Sequence, residues 1–203
     1  RIKGSILIKA FILMPWIIPE SVTAYVWKWL FSSDTGMIYY ILRETGLIAD
    51  GTSFFFDGVL AMAMVIMANV WRTAPFVAVM TYAKLSAVPD SYIEAAKMDG
   101  ANALQTFRYI KLPWIGPILS RCMMLLFVWS FNSFSIIYIL TNGGPAGATT
   151  TLPYLIRQAG FQNFNFAQAT ALSVIALVII LVCFAAVKAG AAVLKMSRKE
   201  TVS

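Results

Sequence analysis

There is no histidine among the 203 residues. The commonest general base and metal ligand is therefore missing. Only two cysteines occur, Cys122 and Cys183, each inside an apolar run. That placement favours core packing over a disulfide or a metal site. Charge is scarce as well, at 12% of residues, about half the share of an ordinary soluble domain. No G-x-x-x-x-G-K-S/T phosphate loop is present. With no histidine base, metal cluster or nucleophile dyad, an intramembrane enzyme has little to stand on. Few carboxylates fall inside apolar runs, which counts against a proton-coupled carrier. What is abundant is apolar: 60% of residues, with mean hydropathy +0.75. Such a composition belongs to an all-α polytopic membrane protein.

Four apolar runs reach the ~20 residues that a spanning helix needs. They cover residues 6–31, 59–83, 117–140 and 167–194, within a single membrane domain. Cations are unevenly shared between the connections. Lys84, Lys97, Arg108, Lys111 and Arg121 lie in or near residues 84–116. Arg1, Lys3 and Lys9 flank the first run, and Lys188, Lys195, Arg198 and Lys199 close the last. Residues 32–58 hold only Arg43 against Asp34, Glu44, Asp50 and Asp57, and residues 141–166 hold only Arg157. The +7 charge is thus spread as a topology signal and not gathered into a nucleic-acid surface. This places residues 84–116 and the C-terminus in the cytoplasm and the two other loops outside. Trp27, Trp29 and Phe31 are then expected as an outer interfacial anchor, and Trp114 as an inner one.

The longest polar block between runs, residues 94–113, reads EAAKMDGANALQTFRYIKLP. Glu94-Ala95-Ala96 is followed by three residues, Gly100, nine residues and Ile110-Lys111-Leu112-Pro113. This resembles, spacing for spacing, the EAA loop of the permeases of ATP-binding-cassette (ABC) importers. Other segments are similar to the carbohydrate branch of that family, the maltose-transporter (MalF-like) type. They are Asn69-Val70-Trp71-Arg72-Thr73-Ala74-Pro75-Phe76, Leu85-Ser86-Ala87-Val88-Pro89, and the turn Leu140-Thr141-Asn142-Gly143-Gly144-Pro145. Phe134-Ser135 departs from the Phe-Asp pair of many sugar permeases, which leaves the solute class open.

The resemblance implies a type I ABC-importer permease bundle, with about four spanning helices present plus cytoplasmic coupling helices. It implies a multi-pass protein of a bacterial or archaeal inner membrane. The implied partners are a second homologous permease, two ATPase subunits, an external solute-binding protein and the bilayer. The chain would be no enzyme and carry no cofactor, ATP and Mg²⁺ being held by the partner ATPase. It also implies that the chain begins part-way through a longer product, with further spanning helices upstream of Arg1.

Within the loop, Pro89 suits a first helical position. A short helix from about Pro89 to Met98 would put Tyr92, Ala95, Ala96 and Asp99 on one shallow face. Gly100 suits a left-handed stop. A second short helix from about Asn102 would present Leu104, Phe107 and Ile110, and Pro113 would end it. The coupling residues are therefore expected to be Glu94, Ala95, Ala96, Asp99, Gly100, Leu104, Phe107 and Ile110. The bland alternative is an ordinary helical hairpin.

Charged groups at membrane depth are functional candidates. Glu20 and Arg72 are expected at similar heights, paired or lining one cavity; otherwise Glu20 sits at a broken helix end near the outer interface. A sugar needs hydrogen-bonding groups beside aromatic faces. Carried over from the family, Asn69, Arg72, Thr73 and Ser130 are the first candidates, with Asn132, Ser133 and Phe134 next. Ser130, Ser133 and Phe134 would share one helix face at i, i+3, i+4. Against this stands ordinary interhelical glue. The expected cargo is an oligo- or disaccharide; glycerol phosphate, a polyol, a polyamine or an oxyanion by the same mechanism is the alternative.

Overall fold

A computed structural model describes the backbone of residues 5–200 and the side chains of residues 10–190. The side chains of Arg1, Lys3, Lys9, Lys195, Arg198 and Lys199 lie outside the described residues. Among the described residues ten α-helices follow one another. They are α1 Ser5–Ile17, α2 Glu20–Leu30, α3 Met37–Glu44, α4 Gly58–Leu85, α5 Asp90–Met98, α6 Ala103–Thr106, α7 Leu112–Phe131, α8 Ser135–Leu140, α9 Leu152–Arg157 and α10 Phe166–Glu200. Among the described residues no strand occurs. Three stretches of the described residues are long and apolar enough to cross a membrane, Gly58–Leu85, Ala103–Phe131 and Phe166–Gly190, and the bent pair Ala10–Ile17 and Glu20–Leu30 makes a fourth if counted as one span.

Residues 6–31 do not form the straight span that their hydropathy predicts. Helices α1 and α2 meet at a bend of 100°. Pro19 has no N–H with which to continue α1, and its ring excludes helical backbone at Ile18. Its own φ of −54° and ψ of 144° turn the chain before α2 starts. The bend also undoes the expected aromatic anchor: Phe31 is buried, stacked on Trp27 and edge-on to Phe54, and only Trp29 stays well exposed.

Helix α4 runs for 28 residues, about 42 Å at 1.5 Å per residue. Asp57 caps it, its carboxylate accepting from the N–H groups of Val59 and Leu60 at 2.9 Å each. Pro75 sits inside α4 and leaves the Trp71 carbonyl without its usual donor.

Two expectations fail around α7. Pro113 does not end the second loop helix. It is the second residue of α7, and the chain stays helical from Ala103 to Phe131. Phe107–Lys111 winds as a π-helical turn, with Leu112 N–H donating to Phe107. That wider turn accommodates the proline ring that a tight α-turn would exclude. At the far end α7 stops at Phe131, so the span expected to reach residue 140 is broken. Asn132 ties off the last turn by donating its side-chain amide to Val128 O at 2.9 Å.

Packing centres on the bend. Ala24, Val65, Ala68, Ile136, Ile137, Leu140 and Tyr154 form one buried cluster from α2, α4, α8 and α9. Ala24 and Ala68 are fully buried, and their lack of bulk lets helix backbones approach. Helix α10 is the opposite case: Val174, Ile175, Leu177, Val178, Leu181 and Val182 are all more than half exposed. A helix this apolar faces lipid or another membrane chain, not water.

Candidate functional site

The break at residues 132–134 leaves the first N–H groups of α8 without intrahelical acceptors. Glu20, the first residue of α2, supplies one from a remote part of the chain. Its Oε1 accepts from Ile136 N–H at 3.2 Å and from Ser133 Oγ at 2.6 Å. A carboxylate at a helix N-terminus is favourable. Its other oxygen, Oε2, lies 4.0 Å from Arg72 Nη2. Both side chains are largely withdrawn, with 16% exposure for Arg72 and 26% for Glu20. Glu20 therefore pairs with Arg72 while standing at a broken helix end, so the expected pairing coexists with the helix-end part of its alternative.

One turn away on α4, the Asn69 side-chain amide donates to Ser130 Oγ at 2.8 Å. Thr73 is buried and donates back to Asn69 O at 2.8 Å. Four polar atoms on α2 and α4 are buried and find no partner in the protein: Thr23 Oγ1, Asn69 Oδ1, Arg72 Nε and, further along α4, Thr81 Oγ1. Unsatisfied groups of this kind are uncommon in native interiors. An aromatic row joins α1, α4 and α7, with Trp16 against Phe76 at 5.7 Å and Phe76 against Trp129 at 5.0 Å between centroids. Helix α4 carries members of both sets, so donors, acceptors and ring faces occur on its successive turns.

Not every candidate joins the polar cluster. Asn69, Arg72, Thr73, Ser130 and Ser133 cluster as described. Asn132 is exposed and spends its amide on the helix end. Phe134 stacks on Tyr138 at 5.2 Å and Tyr154 at 6.3 Å, under the Arg157 guanidinium at 4.9 Å. The shared helical face of Ser130, Ser133 and Phe134 does not exist, because the helix has ended before Ser133. Glu20 was absent from the sequence-derived binding set, although its depth had marked it. Arg157 was visible as the one cation of its loop.

The turn after α8 orders the neighbouring wall. Asn142 and Gly143 both have positive φ, 52° and 79°. A Cβ on Gly143 would lie 2.9 Å from the Tyr154 ring, so glycine is required twice over. Tyr154 Oη donates to Asn142 O at 2.8 Å.

At the other end of α4 stands the α5–α6 knuckle. Pro89 is the residue before α5, not its first. Gly100, at φ 77°, closes α5 with paired bonds: Gly100 N–H to Lys97 O at 3.0 Å and Ala101 N–H to Ala96 O at 2.9 Å. No atom lies within 4 Å of a Cβ built on Gly100, so its backbone alone calls for glycine. Asn102 and Gln105 form a reciprocal capping box on α6. The expected face of α5 splits. Ala96 is buried within the chain, while Glu94, Ala95 and Asp99 point outward. Leu104 is 73% exposed and Met98 87%, and Phe107 is also exposed, with Ile110 half-buried.

A family model described as "binding-protein-dependent transport system inner membrane component" matches residues 2–194. The chain belongs to this family. Among its relatives, the trehalose/maltose transport system permease protein of Thermococcus litoralis is 32% identical over 184 residues, covering 89% of this chain and 60% of that protein. The sn-glycerol-3-phosphate transport system permease protein of Agrobacterium fabrum is 33% identical over 181 residues, covering 89% and 61%. The chain therefore spans about three fifths of the length of the curated relatives it matches. A bacterial ABC transporter involved in import of the acidic polysaccharide alginate shares the fold, with TM-score 0.77 at 23% identity over 93% of this chain and 68% of the other. Membership gives the permease chain its inner-membrane setting and its bundle architecture.

Proposed function

We propose that the chain is a membrane-spanning subunit of an ATP-driven, binding-protein-dependent importer, and that it forms part of the path for an oligo- or disaccharide. The observation that carries this reading is the polar cluster at the α2 bend. Unpartnered hydrogen-bonding atoms of Thr23, Asn69 and Arg72 lie on α2 and α4, and α4 also carries Phe76 of the Trp16–Phe76–Trp129 row, the two kinds of group a sugar requires. The exposed knuckle supports the energy source. Glu94, Ala95, Asp99 and Leu104 turn away from the chain on a rigid, capped hairpin. A separate ATPase gripping it would rock the bundle between outward- and inward-open states, holding ATP and Mg²⁺ itself. A second permease would cover the apolar sides, and an external binding protein would deliver solute to the residue 141–166 side. The knuckle and the C-terminus then face the cytoplasm.

A second cargo is favoured by one specific group. Arg72 suits an anion, and a relative is named for glycerol phosphate. Glu20 opposes this by already compensating the charge at 4.0 Å. The two separate in proteoliposomes holding the assembled complex. ATP-dependent uptake of a neutral disaccharide, unaffected by excess glycerol phosphate, is the expected result; uptake of the anion alone reverses the assignment. Uptake without ATP rejects the importer reading as a whole.

A further inference from the structure

Between the end of α4 and the start of α7 lies a pocket of about 340 Å³, lined by Lys84, Pro113, Trp114, Pro117, Ile118 and Arg121. It lies apart from the bend cluster and adjoins the knuckle, where the Trp114 ring is 6.1 Å from that of Tyr92 on α5. One wall is apolar, built from the two prolines, Ile118 and the indole. The rim carries two cations. Lys84 Nζ sits 4.9 Å over the Trp114 ring, held by its electron-rich face. Neither cation lies in ion-pair contact with a carboxylate. The pairs among the described residues are Arg43 with Glu44 and Asp50, and Arg72 with Glu20. The Trp114 indole N–H is buried and finds no acceptor in the protein. A buried donor without a partner calls for one.

Depth then selects the occupant. Arg121 is nine residues before Ser130, and Lys84 is twelve residues after Arg72. At 1.5 Å per residue they lie about 14 Å and 18 Å from the polar cluster, in the same direction. Half the hydrocarbon thickness of a bilayer is about 15 Å. With the polar cluster near the midplane, the pocket sits where acyl chains give way to phosphates, the level at which indoles and cations gather.

We propose that this pocket binds the headgroup phosphate of an anionic phospholipid. Lys84 and Arg121 pair with the phosphate, the Trp114 N–H donates to a phosphate or ester oxygen, and an acyl chain lies along Pro117 and Ile118. Two uncompensated cations facing one phosphate select a headgroup with net negative charge over a zwitterionic one. The leaflet, the cytoplasmic one, rests on the topology proposed above; the pocket does not. Labelling of Asp99→Cys by a membrane-impermeant thiol reagent reads the topology separately, so the two ideas fail independently.

The test uses the complete transporter, purified with its partner subunits from bilayers of phosphatidylglycerol and phosphatidylcholine in equal parts. Native mass spectrometry reads the lipid retained. Phosphatidylglycerol is expected to be held in preference. Each of Lys84→Gln and Arg121→Gln lowers its affinity about fivefold. Trp114→Phe, which keeps a ring, lowers it by a smaller factor. Lys84→Arg and Lys188→Gln, the latter removing a cation of α10 outside the pocket, leave it near the wild-type value. Equal retention of both lipids overturns the proposal, as does wild-type retention in Lys84→Gln/Arg121→Gln. Equal loss in Lys188→Gln also overturns it, by showing a diffuse surface effect. Displacement of the lipid by millimolar inorganic phosphate would identify a free-anion site instead. Loss of the ATPase from the double variant with the lipid still bound would identify a protein contact.

Discussion

The bend at Glu20 and the knuckle at Gly100 both join two helices at an angle, yet they are held by opposite means. The knuckle is closed locally: Gly100 bonds to Lys97, Ala101 to Ala96, and Asn102 with Gln105. Its outward side chains are free for something else. The bend is closed from afar: Glu20 holds Ser133 and Ile136, more than 110 positions along the chain, and leans on Arg72. A locally closed joint moves as a rigid piece. A joint closed by three remote residues moves only if those contacts are exchanged. The first suits a lever and the second suits a gate.

The sharpest way to break this contrast is Glu20→Ala. It strips the acceptor from Ser133 and Ile136 and leaves Arg72 largely buried without a counter-charge. Removing one partner of a fully buried pair costs about 3–5 kcal/mol, and partial exposure reduces this to about 2. Thermal unfolding of the assembled complex should show that loss, and solute uptake should fall with it. Glu20→Gln keeps an acceptor oxygen and should recover most of the stability. If Glu20→Ala melts with the wild type, the bend is not held from afar.

Next come paired changes on the knuckle. Ala96→Leu overfills a buried site and should cost about 1–3 kcal/mol. Ala95→Leu stands on the outward face and should change stability by less than about 0.5 kcal/mol. It should nonetheless weaken co-purification of the ATPase. Equal retention of ATPase in both variants and the wild type would remove the knuckle from the coupling path.

Gly100→Ala should cost about 1 kcal/mol, from backbone strain alone, since no neighbour meets the new methyl. Gly100→Asn should cost less. A much larger loss in either would mean that the turn is packed against something in the assembly.

The smallest effect concerns Asn69 and Ser130. A double-mutant cycle with alanine should give a coupling of about 0.6 kcal/mol, the usual size for a hydrogen bond between membrane helices. Solute affinity should change more than stability if the pair contacts cargo.

The knuckle was legible because its signals act within a few positions. Pro89 stands just before α5, Gly100 stops it, and the EAA triplet falls in the short helix between. Even there, the division of Ala95 from Ala96 was hidden, since it depends on what α5 packs against. The site was half legible. Asn69, Arg72, Thr73 and Ser130 were marked by polarity in apolar runs and by resemblance, and they do come together. Asn132 and Phe134 were marked by the same signals and point elsewhere, because α7 ends at Phe131.

Composition and periodicity alone determined that this is a helical membrane chain, where its apolar runs lie, and that one polar loop folds as a capped hairpin. These follow from solvent partition and from bonds between near neighbours. The tertiary structure decided that the first span is bent, that the third is broken, and that Glu20 serves both. A proline permits a bend, and a run of Asn and Ser permits a break. Which of them is realised depends on whether a remote side chain arrives to satisfy the backbone groups set free.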